Sequence, residues 1–107
     1  MQSKNILYNV NKVIVEPSLE CSYIDFSKHL NEYLLSKYNK YYAGLQLYQN
    51  NDRPTVFYVV ASYKCVPGLF KVAPLIGNQI SKIYDRVWDN TVKRISVFSF
   101  LTSTRVL

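Results

Sequence analysis

Pro54–Cys65, PTVFYVVASYKC, is the longest unbroken strand-like run in the chain, and its reading decides the fold. It is rich in β-branched and aromatic residues, and the Asn50-Asn51-Asp52-Arg53-Pro54 segment leading into it is turn chemistry. Successive side chains of a strand point to opposite faces. Thr55, Phe57, Val59, Ala61, Tyr63 and Cys65 therefore form one set, suited to a packed core. Val56, Tyr58, Val60, Ser62 and Lys64 form the other. That second set is apolar and aromatic but closes on a serine and a lysine, so it suits a face meeting something other than bulk water.

Working outward, Tyr41–Gln49 (YYAGLQLYQ) alternates Tyr41, Ala43, Leu45 and Leu47 against Tyr42, Gly44, Gln46 and Tyr48. With the polar turn after it, this run forms a β-hairpin with Pro54–Cys65. Before it, Phe26, Leu30, Tyr33, Leu34 and Tyr38 fall at i, i+4, i+7, i+8 and i+12, which predicts a helix over Ser22–Asn39. Ser22 with Asp25 resembles a capping box, and Asn39 can supply a left-handed stop. At the start, Asn5–Val15 alternates with a parity break at Asn11-Lys12, read as a bulge in one long strand or as a tight hairpin. Glu16-Pro17-Ser18 ends it.

Downstream, Val66-Pro67-Gly68 is a turn. Ile76, Ile80, Ile83, Tyr84 and Val87 predict a second helix from about Pro74, with Trp88 closing one end of its apolar face and Gly77 an early weak spot. Val92–Thr102 is the last strand, with Arg94, Ser96, Phe98 and Phe100 on one parity. The order strand, helix, strand, strand, helix, strand is that of the ferredoxin-like, split βαβ arrangement. Right-handed crossovers there set both helices on one face of a four-stranded antiparallel sheet in the order 4-1-3-2.

Bulk numbers bound the rest. A chain of 107 residues fits a single α+β domain over 1–107. Its 49% hydrophobic content excludes wholesale disorder. Thirteen Lys and Arg against seven Asp and Glu give a net charge of +6, spread without a polybasic block, which favours anionic partners. Cys21 and Cys65 lie far apart with no metal-ligand spacing, so two buried thiols in a reducing, cytoplasmic setting are expected. The N-terminal MQSKNILYNVNK has no signal-peptide core, and no apolar run is long enough to span a membrane.

With both helices on one side, the other side is expected to show Tyr42, Gln46, Tyr48, Tyr58, Val60, Lys64, Arg94, Phe98 and Phe100, with Tyr8 or Leu7. Rings can stack on unpaired bases while cations neutralise phosphates. Tyr42, Tyr48, Tyr58, Lys64, Arg94, Phe98 and Phe100 are thus the candidate binding residues for RNA or single-stranded DNA. The arrangement resembles the working surface of RNA-recognition-motif domains in architecture. Arg53–Val60 lacks the glycines and first aromatic of that family's third-strand signature, and Leu7–Asn11 matches the first-strand one only loosely. The alternative expectation is a homodimer or a subunit of a larger assembly, such as a ribonucleoprotein component or an inhibitor, with the same rings as a protein interface.

Enzymatic readings find less support. His29, the one histidine, sits on the first helix between core positions. Asp85 and Asp89 are spaced i, i+4 with Arg86 between them, as on a solvated face. Gly44, Gly68 and Gly77 are too scattered for a phosphate loop. The expectation is a non-enzyme with no catalytic residues, no metal and no cofactor.

Overall fold

The computed structural model describes residues 5–107; Lys4 and the rest of Met1–Lys4, the first part of the stretch read for a signal peptide, lie outside the described residues. The elements are β1 (Ile6–Val15), α1 (Glu20–Lys37), β2 (Tyr42–Gln49), β3 (Val56–Lys64), α2 (Leu69–Trp88) and β4 (Val92–Ser99). They form one four-stranded antiparallel sheet in the order β2-β3-β1-β4, the ferredoxin-like order.

β3 lies inside the sheet, and its two sets point to opposite sides, although Val56 of the second set is buried as well. Phe57, Val59, Ala61 and Tyr63 are buried under the helices, whereas Tyr58, Val60 and Ser62 are half-buried and Lys64 is exposed on the other side. Val13 and Val15 from β1 and Val92 from β4 complete the strand contribution to the core. α1 buries Tyr23, Ser27, Leu30 and Leu34, and α2 buries Leu69, Ala73, Ile76, Tyr84 and Trp88. Burying each large apolar side chain there contributes roughly 1.5–3 kcal/mol. Tyr23, Phe26, Tyr84 and Trp88 pack as one aromatic cluster, with Trp88 at the end of the core as its spacing predicts.

Several local expectations are corrected. β1 runs against β3 without interruption, so it is neither bulged nor a hairpin. Leu7, Asn9, Asn11, Val13 and Val15 share the helix side, since they pair with or continue the positions opposite Tyr63, Ala61, Val59 and Phe57. The parity break is a pair of asparagines on an otherwise inward face. The bulges lie on the outer strands instead. Ala43 is the extra residue of β2, beside Gly44 at φ 120°, and Val97 is the extra residue of β4.

α1 begins after Leu19 with no side-chain cap, and Asp25 instead sits 3.7 Å from His29 with both groups exposed. Its last turn closes on Tyr38, not on a left-handed Asn39. α2 starts earlier than Pro74, directly after Gly68, whose φ of 91° only glycine adopts freely, and Pro74 falls inside it. Cys21 and Cys65 are both free and exposed rather than buried. Among the described residues no helix is long and apolar enough to cross a membrane.

Candidate functional site

The seven residues expected on one face divide between two. Tyr48, Tyr58, Lys64 and Phe98 do lie on the open side of the sheet, with Tyr8, Val10 and Ile95. Tyr8 is 47% exposed, Tyr48 53% and Phe98 44%, so nothing of the described chain covers this patch. Lys64 is partly committed, its Nζ donating to the Asn39 carbonyl at 2.8 Å.

Tyr42, Arg94 and Phe100 are on the helix side, contrary to the alternation read from sequence. The extra residue Ala43 inverts the parity of β2, so Tyr42 pairs with Tyr63, is fully buried, and meets its ring edge-on at 5.6 Å. In β4 the extra residue Val97 does the same, leaving Arg94 and Ser96 inward and Phe98 outward. Phe100 follows the end of the strand and folds back onto Tyr63 and Phe70 at 5.4 and 6.0 Å.

Of these inward residues, Arg94 lines a cavity of about 170 Å3 between α2 and the β1–β4 pair. Asn9 and Asn11 of β1, Tyr63 of β3, Gly77 and Ile80 of α2, and Arg94, Ser96 and Ser99 at β4 line it. A smaller space of about 30 Å3 adjoins it, sharing Asn11, Ala61, Ile80 and Arg94 and adding Tyr42 and Tyr84. Two half-buried asparagines on consecutive inward positions cost desolvation unless they are hydrogen-bonded. Gly77 adds a second anomaly. A Cβ there would meet nothing within 4 Å, so this glycine is required neither by close packing nor by a positive φ.

Arg94 is the electrostatic centre. Its guanidinium lies over the Tyr84 ring at 4.7 Å, and its Nη2 donates to Ser81 Oγ at 2.9 Å. Stacking and this bond fix the plane. Its Nη1 is buried with no hydrogen-bond partner, as is the Tyr42 hydroxyl. Asp85 and Asp89 line an outer cleft with Arg94, yet no ion pair joins either to it.

Tyr84 and Tyr23 share a hydroxyl–hydroxyl hydrogen bond of 2.6 Å. Burial pushes the Tyr84 hydroxyl well above its ordinary pKa, and its partner Tyr23 adds to that. Burial likewise raises Tyr42, and raises Tyr63 against smaller opposing effects of Asn9 and Arg94. At neutral pH these phenols are neutral donors. Asn9 Oδ1 is occupied by the Phe100 amide at 3.1 Å, which leaves its amide NH2 to donate. The lining thus combines donors and acceptors: the Asn11 amide, the serine hydroxyls and the neutral phenol of Tyr63 can each serve as either.

Asn9, Asn11, Gly77, Ser96 and Ser99 were not among the expected site residues. The signal for the first two was present as the parity break in β1, where polar residues stand at inward positions. For Gly77 it was a glycine within an otherwise regular helix. Among the described residues no cluster of three or more His, Cys, Asp or Glu could hold a metal ion.

No known protein family matches the chain, and no curated protein does. Among solved structures it is similar to a protein from Bacteriodes thetaiotaomicron VPI-5482, provisionally named an antibiotic biosynthesis monooxygenase. The TM-score is 0.59 at 13% identity, covering 96% of this chain and 97% of that one. The expectation of a nucleic-acid-binding module, or of a non-enzymatic interaction subunit, is corrected by this neighbour, which is named for an oxidation. The placement of Tyr42, Arg94 and Phe100 under the helices removes three of the seven residues on which that reading stood. The neighbour's name also stands against a non-enzyme, as a distant likeness. What the likeness establishes for this chain is its ferredoxin-like fold.

Proposed function

We propose that this protein binds a small organic molecule between α2 and the inward side of β1 and β4, and acts on it there. One observation carries the reading: the half-buried Asn9, Asn11 and Arg94 occupy strand positions facing the helices and gather around a space left open by Gly77. A strand position under a helix is ordinarily apolar, and polar groups placed there demand partners. The named activity of the fold neighbour makes oxygen-dependent oxidation the reaction to assay first. A monooxygenase places one atom of O2 in its substrate and reduces the other to water, drawing electrons from the substrate or from an added reductant. Oxygen uptake is therefore measured with and without NADH.

The test of the site itself is Gly77→Leu. It adds a good helix former pointing into the cavity. We expect the melting temperature to hold or rise while thermal shifts from a fragment library of small polar compounds disappear. An unchanged binding profile in Gly77→Leu moves the site elsewhere.

For assembly, we propose a second copy of this chain against the open face, supported by the exposed rings of Tyr8, Tyr48 and Phe98 lying together on one sheet surface. Light scattering on the purified protein tests it, and a monomer at all concentrations removes it.

A further inference from the structure

We propose a second binding site, in the slot between α1 and the edge strand β2, whose ligand is an aliphatic chain ended by a carboxylate. The slot shares no lining residue with the cavity at Gly77, so it stands apart from the reading above. Three observations converge on it.

The first is its size and make-up. At about 440 Å3 it exceeds the Gly77 cavity and falls within the roughly 300–1,000 Å3 of small-molecule sites. Ile24 of α1 and Leu45 and Leu47 of β2 supply apolar surface, with Phe57 buried behind them. Leu45 and Leu47 hold inward positions opposite Ala61 and Val59, yet α1 leaves both half-buried. Inward side chains that the chain's own elements do not close over gain from an apolar partner.

The second is charge. Lys28 is the single charged residue of the lining, and it is exposed. Asp25 and Glu32 stand three residues before it and four after it on α1. Among the described residues, however, the one ion pair joins Asp25 to His29. An ammonium without a carboxylate partner, set beside an apolar strip, matches a ligand with one negative charge and a hydrocarbon tail.

The third is a second donor beside the first. Asn31 Oδ1 accepts the Leu45 amide at 3.0 Å, which ties the side chain to β2 and leaves its NH2 to donate. Lys28 and Asn31 are i, i+3 neighbours on one helix face. Together they offer an ammonium and an amide to the two oxygens of one carboxylate. A dianionic phosphate would find only one positive charge there. From Ile24 to Asn31 the helix advances about 10 Å, room for an extended chain lying along Leu45 and Leu47.

The experiment is a heteronuclear NMR titration of the full chain with three ligands of equal length: octanoate, neutral octan-1-ol, and octylamine, which is cationic at neutral pH. We expect octanoate to shift the amides of Asn31, Leu45 and Leu47 and to bind about threefold to tenfold more tightly than the alcohol, with the amine weakest. From butanoate through hexanoate to octanoate, affinity should rise about two- to fourfold per added methylene. Lys28→Gln should erase the preference for octanoate over the alcohol, and Lys28→Glu should turn the order towards octylamine. Lys28 is exposed, so neither substitution disturbs the core. Equal affinity for octanoate and octan-1-ol, a preference that survives Lys28→Gln, or a flat chain-length series would each overturn the inference. So would the absence of shifts at these amides, or shifts confined to Asn9, Asn11 and Gly77, which would place the chain in the other cavity.

Discussion

The two faces of the sheet both carry aromatic rings, in opposite kinds of order. On the helix side, Tyr23, Phe57, Tyr84 and Trp88 pack around one another, and Tyr63 packs on Tyr42 and Phe100. Ser27 is buried from α1, and Asn9, Asn11 and Arg94 gather between α2 and the β1–β4 pair. On the open side, Tyr8, Tyr48 and Phe98 are exposed and Tyr58 is half-buried, beside Lys12, Lys64 and Lys93. An exposed aromatic surface is conspicuous in sequence yet compatible with many partners. A few polar residues in an apolar layer are easily overlooked and far more restrictive, because each must be satisfied within a fixed geometry.

The contrast can be broken most sharply at adjacent residues of β3. Phe57→Ala should cost about 3–5 kcal/mol in urea unfolding, as a fully buried ring removed from a packed core. Tyr58→Ala, one residue on and across the sheet, should cost under about 1 kcal/mol in the monomer. Comparable losses would mean that the open face is not open.

Alkaline titration bears on the helix side through its buried tyrosines. Tyr23, Tyr42, Tyr63 and Tyr84 all have a pKa raised above the ordinary 10.0 by burial. Above pH 10 the unfolded chain loses phenolic protons that the folded chain retains, so folding stability is full below that value and falls as pH rises beyond it. Thermal melts from pH 8 to 11, followed with phenolate absorbance, should show these four tyrosines ionising together with unfolding. Their ionisation within an intact fold would contradict the packing.

Tyr84→Phe leaves the Tyr23 hydroxyl without its 2.6 Å partner and should cost about 1–3 kcal/mol. Gly77→Ala should stabilise by about 0.5–1 kcal/mol, since nothing crowds the new methyl and glycine weakens a helix interior. A loss there would show that the glycine has a packing role. Phe98→Ser is expected to shift monomer stability by no more than about 0.5 kcal/mol, but to weaken self-association read by light scattering.

Much of this architecture was legible in the chain. The inward set of β3 follows from alternation, and the hairpin partner follows from the turn chemistry of Asn50–Pro54. The apolar repeats located both helices, because amphipathic periods survive shifts of a residue or two at the ends. The site was less legible, for a specific reason. Alternation assumes one residue per step, and a single extra residue at Ala43 or Val97 reverses everything beyond it. Tyr42 and Arg94 lie on the far sides of those bulges from the well-read parts of β2 and β4. In β1 the opposite error arose: Asn9 and Asn11 looked like a slip in register because polar residues at inward positions contradict the usual pattern. They were in register, and their polarity was the information.

Both bulges fall on β2 and β4, the strands with an unpaired edge. On β2 the Leu45 amide is in addition occupied by Asn31 Oδ1 from α1 at 3.0 Å. A foreign strand approaching either border would find its ladder out of step within a few residues. The chain should accordingly resist fibrillar, edge-to-edge growth even at concentrations where its exposed rings draw molecules together.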